Sequence, residues 1–383
     1  MKKEFFTSLG LMSGTSMDGV DISLIKSDGY DEYISILDEY YEFNYELRQN
    51  LINLRDKIFT LEDLKKNSLE LADFERKFTL FIGQIVKKIQ KNYDKKIDLI
   101  GFHGQTIFHN PEQKISKQVG DGELLSQVLG KTVINDFRQQ DILNGGQGAP
   151  LTPIFHKLIS KFLEKKHKLI LPFNIINIGG IANITKIYKE NNSKVENLQA
   201  FDIAPGNCLI DEWIRKNSDN KFDKNGQIAK SGKVNDLILN QALDNFDIQK
   251  YDKSLDIKNF DISFAKGLSL EDGCATITKF TAHLIAKGIE FVNNLDKKLS
   301  TNTFVCGGGR KNTFLIDSIN ENLVQSNFEL EDLDLYGFNG DFIESQAFGY
   351  LAIRSFLKLP ISFPKTTRCK SAVTGGKINK IFQ

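Results

Sequence analysis

The chain has 383 residues, of which 40% are apolar and 26% charged, with seven prolines. That length exceeds one ordinary core and suits two domains of about 150–200 residues each in a globular protein. Fifty basic residues against 49 acidic ones leave a net charge of +1, spread along the chain, which argues against a nucleic-acid partner. No stretch approaches the ~18 apolar residues of a membrane span. Lys2-Lys3 ahead of Phe5-Phe6 is broken by Glu4 and soon followed by Asp18 and Asp21, so a signal peptide is not expected. The four cysteines, Cys208, Cys274, Cys306 and Cys369, form no C-x-x-C pair, as expected of reduced thiols in a cytoplasmic protein. The five histidines are equally scattered, and a zinc site is not expected.

In chain order, Phe5 to Met12 and Val20 to Ile25 are apolar runs that predict two strands. Between them lie Ser13, Gly14, Thr15, Ser16, Met17, Asp18 and Gly19, a turn rich in backbone N–H groups and side-chain oxygens. Such a turn can face a nucleotide phosphate, with a carboxylate beside it for Mg²⁺. It matches neither a Walker A loop nor G-x-G-x-x-G, and a plain hairpin turn uses the same residue types. Residues 46–92 carry apolar residues at helical spacing, Leu61, Leu64, Leu69, Leu71, Phe74 and Phe78 among them.

Ile97 to Phe102 predicts a strand ending in His103-Gly104-Gln105-Thr106, and Lys131 to Ile134 another ending in Asn135-Asp136-Phe137-Arg138. A helix is expected from about Thr152 to Leu163, and Gly145-Gly146 with Pro150 reads as a hinge between domains. Strand, Gly179-Gly180 and strand follow over 173–187, then a strand stopping at Asp202 before a helix from Pro205 to Trp213. A long helix spans 269–294, where Ser269 and Asp272 resemble a capping box. Thr303 to Cys306 is a strand, Gly307-Gly308-Gly309 a loop, and Lys311 to Leu323 a helix. Strand–Gly–strand thus occurs twice, which points to two structurally related halves.

Polar residues fall repeatedly at predicted strand ends, where open α/β sheets place their ligands. Each has a plain structural explanation as well. His103 reads equally as a core histidine, Asp136 with Arg138 as an ion pair, and Asp202 as part of a helix cap.

Taken together, nine segments in order resemble the anhydro-N-acetylmuramic acid kinases of the actin/sugar-kinase/Hsp70 superfamily. They are GLMSGTSMDG (10–19), HGQT (103–106), GDG (120–122), NDFR (135–138), GGQGAP (145–150), NIGGIANIT (177–185), FDIAPGN (201–207), VCGGG (305–309) and ESQAF (344–348). The resemblance implies an α/β fold of two related actin/hexokinase-like (ribonuclease H-like) domains around a nucleotide and sugar cleft. Their expected bounds are 1–145, completed by 358–383, and 146–357. It also implies a reaction in which ATP phosphorylates O6 of 1,6-anhydro-N-acetylmuramic acid while water opens the anhydro ring at C1, in peptidoglycan recycling. Asp202 is the implied general base.

Under the same resemblance, ATP and Mg²⁺ fall to Ser13 through Gly19, Gly179, Gly180, Gly307, Gly308 and Gly309, with Asp18 rather than Asp21 near the metal. His103, Gln105, Asp136, Arg138 and Glu344 are the implied sugar ligands, Arg138 toward the lactyl carboxylate. A cytoplasmic homodimer is implied. The rival expectations are a catalytically silent sugar or nucleotide sensor, a kinase for another sugar on the same fold, and a scaffold on an ATPase-like fold, which would not need Asp202. Three departures from the family pattern stand out: Ile203-Ala204 after Asp202, the stretch Asp252 to Asp256, and Arg368 where glycine is common.

Overall fold

The computed structural model describes residues 4–93, 96–189, 197–246, 251, 253–255, 260–295, 302–324 and 330–381. Lys2, Lys3, Asp252 and Asp256 lie outside the described residues. The chain forms two compact units, Met1–Lys161 with Phe342–Gln383, and Phe162–Asp341. Residues 146–161 and 342–357, placed in the second domain on sequence grounds, therefore pack with the first.

The first unit opens with the meander β1 (Phe6–Ser13), β2 (Gly19–Ser27) and β3 (Tyr33–Glu42), in which neighbours run antiparallel. Three helices follow, α1 (Tyr45–Lys57), α2 (Leu61–Lys66) and α3 (Ser68–Asn92). The periodic stretch breaks where Thr60 and Asp63 form a reciprocal capping box that starts α2. Leu71, Phe74, Phe78, Ile82 and Ile85 of α3 face the core at helical spacing, whereas Leu69 is exposed. Next come β4 (Leu99–Asn110), β5 (Ile115–Val119), α4 (Gly122–Leu129), β6 (Thr132–Asn135), α5 (Gln139–Leu143) and α6 (Pro153–His167). β4 runs eight residues past the predicted end at Phe102, because β5 folds back and pairs with its second half.

The second unit repeats the plan. β7 (Phe173–Ile178), β8 (Ile181–Ile187) and β9 (Leu198–Pro205) form an antiparallel meander. It is followed by α7 (Cys208–Asn217), α8 (Gln227–Ser231), α9 (Asp236–Asn245) and α10 (Leu270–Asn294). Ser269 caps α10 by accepting from the Asp272 N–H, and the helix buries Cys274, Ile277, Phe280, Ile285 and Ile289 against the sheet. β10 (Asn302–Cys306), α11 (Thr313–Leu323) and β11 (Leu330–Asp332) complete the unit. The helix expected from Pro205 starts three residues later; Pro205 ends β9, and Asn207 precedes α7 as its cap.

The chain then closes the first unit with α12 (Ile343–Phe356), α13 (Pro364–Thr367) and β12 (Lys377–Asn379). Its sheet runs β12-β6-β4-β1-β2-β3, and the other runs β11-β10-β7-β8-β9. In each, the first strand of the meander pairs parallel with the next strand in sequence, and that strand pairs parallel with another. The two halves therefore share one mixed topology, the ribonuclease H-like order. α12 lies directly on β1 and β4. A Cβ added to Gly10 would sit 1.9 Å from the Ser345 carbonyl oxygen, and one on Gly101 2.2 Å from that of Phe348. The four cysteines are buried and free. Among the described residues, no helix is long and apolar enough to cross a membrane.

Candidate functional site

The turn from Ser13 to Gly19 is held from beneath. Ser13 Oγ donates to the Gly19 carbonyl at 2.9 Å and to Gln105 Oε1 at 2.5 Å, while Gln105 Nε2 donates to the Gly14 carbonyl at 3.1 Å. Both side chains are buried. Gln105, expected as a sugar ligand, thus has both ends of its amide committed to the turn. Met17 adopts a left-handed backbone, φ 55°, and its side chain is sunk in the core, an apolar anchor for the turn. Thr15 and Ser16 are exposed, and Ser16 Oγ donates to Asp18 Oδ1 at 2.6 Å. Asp21 lies inside β2, opposite Tyr40, as expected.

The glycines of this turn differ in what requires them. At Gly19 an added Cβ would meet the tip of the exposed Tyr40 side chain at 2.5 Å, which would have to move aside. At Gly14 it would meet nothing within 4 Å, and the backbone is not left-handed. The fold leaves that position open, which is what a backbone approached by a ligand needs.

A second group in the same unit centres on His103. β4 carries it in its interior, not at its end as predicted, and it is buried. Its Nδ1 lies 2.8 Å from the Gly104 carbonyl, and Nε2 accepts from Arg138 Nε at 3.0 Å and Nη2 at 2.9 Å. A carbonyl only accepts and a guanidinium only donates, so the ring is the neutral Nδ1–H tautomer. Burial first, then the Arg138 charge, holds this imidazole well below its ordinary range. Arg138 Nη1 also donates to the Gly148 carbonyl at 2.7 Å. Glu344 stands in the first turn of α12. Burial pushes its carboxyl above the usual range, and Arg138 pulls it back. The structure thus brings His103, Arg138 and Glu344 together, with the Phe348 ring 4.4 Å from His103.

Asp136 stands apart from this group. It has φ 54° and forms no ion pair with Arg138 among the described residues. It lines a hollow of about 650 Å³ with Gln139, Asn144, Thr374 and Lys377. Asp136 is an exposed residue, and partial desolvation in this hollow raises its carboxyl, against the Gln139 N–H, Lys117 and Lys377.

The buried histidines make stability depend on pH. His156 is also fully buried, and burial pushes its imidazole down to about 3 from an ordinary 6.5. A depressed folded value means that the unfolded chain takes up protons the folded chain refuses. The contribution is complete above pH 6.5 and is lost as pH falls toward 3. The expected slope is about 1.4 kcal/mol per pH unit for each such histidine. Thermal melts at pH 7.5, 6.5 and 5.5 should show falling Tm below 6.5, with a shallower fall in His156→Gln; equal slopes in the two proteins would refute the assignment.

In the second unit Asp202 lies inside β9, three residues before its end, rather than at a strand terminus. It is buried, and Oδ2 accepts from the Leu255 N–H at 2.9 Å. Its strand position, opposite Asn183, rules it out as a cap of α7. Gly179 and Gly180 form the tight β7–β8 turn and accept from the N–H groups of Gly206, Asn207 and Cys208. Gly307 to Gly309 leave the end of the adjacent β10. Gly307 (φ 83°) and Gly309 are required by their backbone or by Ile178, whereas Gly308 has nothing within 4 Å of an added Cβ. Two glycine loops therefore lie at the carboxyl ends of neighbouring strands, where α/β sheets hold ligands.

The departures have structural explanations. Ile203 is the extra residue of a bulge in β9, between the partners of Asn183 and Ala182, and packs on Gly288 of α10. Ala204 does not adopt a left-handed backbone, so no glycine is needed there. Of the stretch 252–256, Leu255 donates its backbone N–H to Asp202 Oδ2, which any non-proline residue can do. Arg368 sits at φ 67° after α13; the left-handed backbone accounts for glycine's advantage there.

Sequence reasoning missed Arg310. Buried, it donates to Asp334 and Asp341 and to the Gly307 carbonyl, clamping the glycine loop. Its place directly after the triplet was the available signal. Asp141 also escaped notice: it accepts from the Gly148 N–H at 2.7 Å and Thr367 Oγ1 at 2.6 Å, and so shapes the loop that receives Arg138.

Among the described residues no group of three or more His, Cys, Asp and Glu side chains is placed to hold a metal. A nucleotide-borne Mg²⁺ needs only one or two protein carboxylates, since phosphate and water supply the rest. Asp18 fits that requirement, and the open position at Gly14 fits a phosphate.

A family model for anhydro-N-acetylmuramic acid kinase matches residues 6–380. The chain is 52% identical over 382 residues to the anhydro-N-acetylmuramic acid kinase of Pelagibacter ubique (strain HTCC1062), covering 99% of this chain and 100% of that one. It is 37% identical to the enzyme of that name from Zymomonas mobilis subsp. mobilis, covering 98% and 100%. The corresponding Rhodospirillum rubrum protein is 35% identical, covering 96% and 93%. Among solved structures, a Schistosoma mansoni hexokinase complexed with glucose aligns with a TM-score of 0.43 at 12% identity, over 91% of this chain and 85% of that one.

Proposed function

The chain belongs to the anhydro-N-acetylmuramic acid kinase family, and on that premise we propose that it converts 1,6-anhydro-N-acetylmuramic acid, ATP and water to N-acetylmuramic acid 6-phosphate and ADP. The observation that carries this reading is the family match over residues 6–380, which spans both units. Asp202 takes a proton from the water that attacks C1. The C1–O6 bond breaks, and O6 takes the γ-phosphoryl group. A carboxylate placed beside the attacking water is the kind of group that can act as such a base.

The remaining residues position and neutralise charge, which is most of what phosphoryl transfer asks of a protein. ATP supplies the phosphoryl group and Mg²⁺ the charge that offsets it. Thr15, Ser16, Asp18 and the backbone around Gly14 would hold the phosphates and their metal, and Gly179, Gly180 and Gly308 would serve the nucleotide. Arg138 and Glu344 hold the sugar, Arg138 toward its lactyl carboxylate, with His103 as the neutral acceptor that aims Arg138. Gln105 acts by holding the turn. We place the protein in the cytoplasm, as a homodimer acting in peptidoglycan recycling on a free sugar; its balanced charge supports no nucleic-acid role.

Running the reaction in ¹⁸O-water and weighing the products tests the chemistry. The label is expected at C1 of the sugar, with ADP release dependent on the anhydro-sugar. Label found in phosphate and none in the sugar would mean simple ATP hydrolysis, and release driven equally by other sugars would favour a different sugar kinase.

A further inference from the structure

Glu344 belongs to the segment Glu344-Ser345-Gln346-Ala347-Phe348, whose other polar members the chemistry above does not use. α12 begins without a side-chain cap at Phe342, so its first turn must be held from the side. Ser345 Oγ lies 2.7 Å from Ser23 Oγ of β2 and 3.0 Å from the Phe342 carbonyl, and its single proton serves one of the two. Gln346 is 1% exposed, and every polar atom of its amide is engaged. Nε2 donates to both oxygens of Asp38 on β3, at 3.0 and 2.9 Å, and to Ser35 Oγ at 3.4 Å. Oε1 accepts from the Tyr33 hydroxyl at 2.5 Å. Asp38 also accepts from Ser23 Oγ at 2.5 Å, closing the network between β2, β3 and the helix.

Successive helical residues point about 100° apart, so one turn sends Gln346 to β3 and Glu344 toward Arg138. We propose that Gln346 is a positioning residue: its bonds to Asp38 and Tyr33 set the rotation and height of the first turn of α12, and with them the place of the Glu344 carboxylate beside Arg138. The inference rests on the reading of Glu344 as a sugar ligand. It explains why an edge strand carries Tyr33, Ser35 and Asp38 where they meet one amide. A network satisfied at every member fixes one geometry, whereas a half-satisfied one does not.

The test uses the full chain and sugar-dependent ADP release. Gln346→Ala is expected to lower kcat/KM for the sugar roughly 10-fold or more, since small misplacements of a binding group are costly, while KM for ATP stays within about twofold. Tyr33→Phe, which removes one hydroxyl, should give a smaller loss of the same kind and guards against misfolding of the first variant. Gln346→Glu sets two carboxylates against each other and should be severe. Adding Asp38→Asn restores a donor–acceptor pair and should recover most of the loss. Sugar and ATP parameters falling together, or no recovery in the double variant with Tm retained, would overturn the proposal. If wild type shows no sugar-dependent release, the kinase reading itself fails. Hydrogen exchange at residues 344–348 then still decides the anchoring, with faster exchange in Gln346→Ala expected and unchanged exchange against it.

Discussion

Asp202→Asn should bind ATP as tightly as the wild type and lose about 10²–10⁴ in turnover, the usual scale for a removed acid/base group. The substitution is nearly isosteric. Asn keeps an oxygen that can accept the Leu255 N–H now bonded to Oδ2 at 2.9 Å, so β9 and its pairing opposite Asn183 should persist. What is lost is the carboxylate that takes a proton from water in the proposed step. Calorimetric titration with ATP, a melting curve and an ADP-release assay separate the three quantities. Turnover near the wild-type rate would assign the base to another group, and a collapsed Tm would show that the charge at 202 serves the fold.

The second large effect contrasts two glycines four residues apart. Gly10→Ala places a Cβ 1.9 Å from the Ser345 carbonyl oxygen and 2.5 Å from the Gly349 nitrogen. Both are backbone atoms of α12 and have no flexible end to move aside. Destabilisation at or beyond the upper end of the roughly 1–3 kcal/mol of ordinary overpacking is expected. Gly14→Ala meets nothing within 4 Å and should leave Tm within a degree or two. If a phosphate sits against that backbone, the same ~1–3 kcal/mol of crowding appears in ATP affinity instead, about 5- to 100-fold at 1.4 kcal/mol per decade. Unchanged ATP affinity in Gly14→Ala would remove the turn from the nucleotide site.

Much of the fold could be read from local pattern. β7 and β8 begin and end where the apolar runs and Gly179-Gly180 place them, and α10 follows its cap at Ser269. Those elements carry their own signals: a period, a cap residue, a turn pair. β4 and β9 were cut short at Phe102 and Asp202 because polar residues ended the apolar runs. In the folded chain β5 and β8 supply the hydrogen bonds that carry each strand onward, and partners distant in sequence leave no trace in a window of ten residues.

The candidate site divides along the same line. The sequence by itself determined the family, through nine short segments in order, and the residue types that chemistry requires: a carboxylate at 202, a glycine turn at 13–19, and an arginine and a glutamate at 138 and 344. Tertiary structure decided which of these face outward and which serve as supports. Gln105, sought as a sugar ligand, holds the turn beneath Gly14; His103, in the middle of a strand, aims Arg138; Asp136 lines a different hollow; and Gln346 locks the helix that carries Glu344. The physical reason is that a side chain's role depends on which donors and acceptors its neighbours leave unsatisfied, and those neighbours are assembled only when β1, β4, β6 and α12 come together.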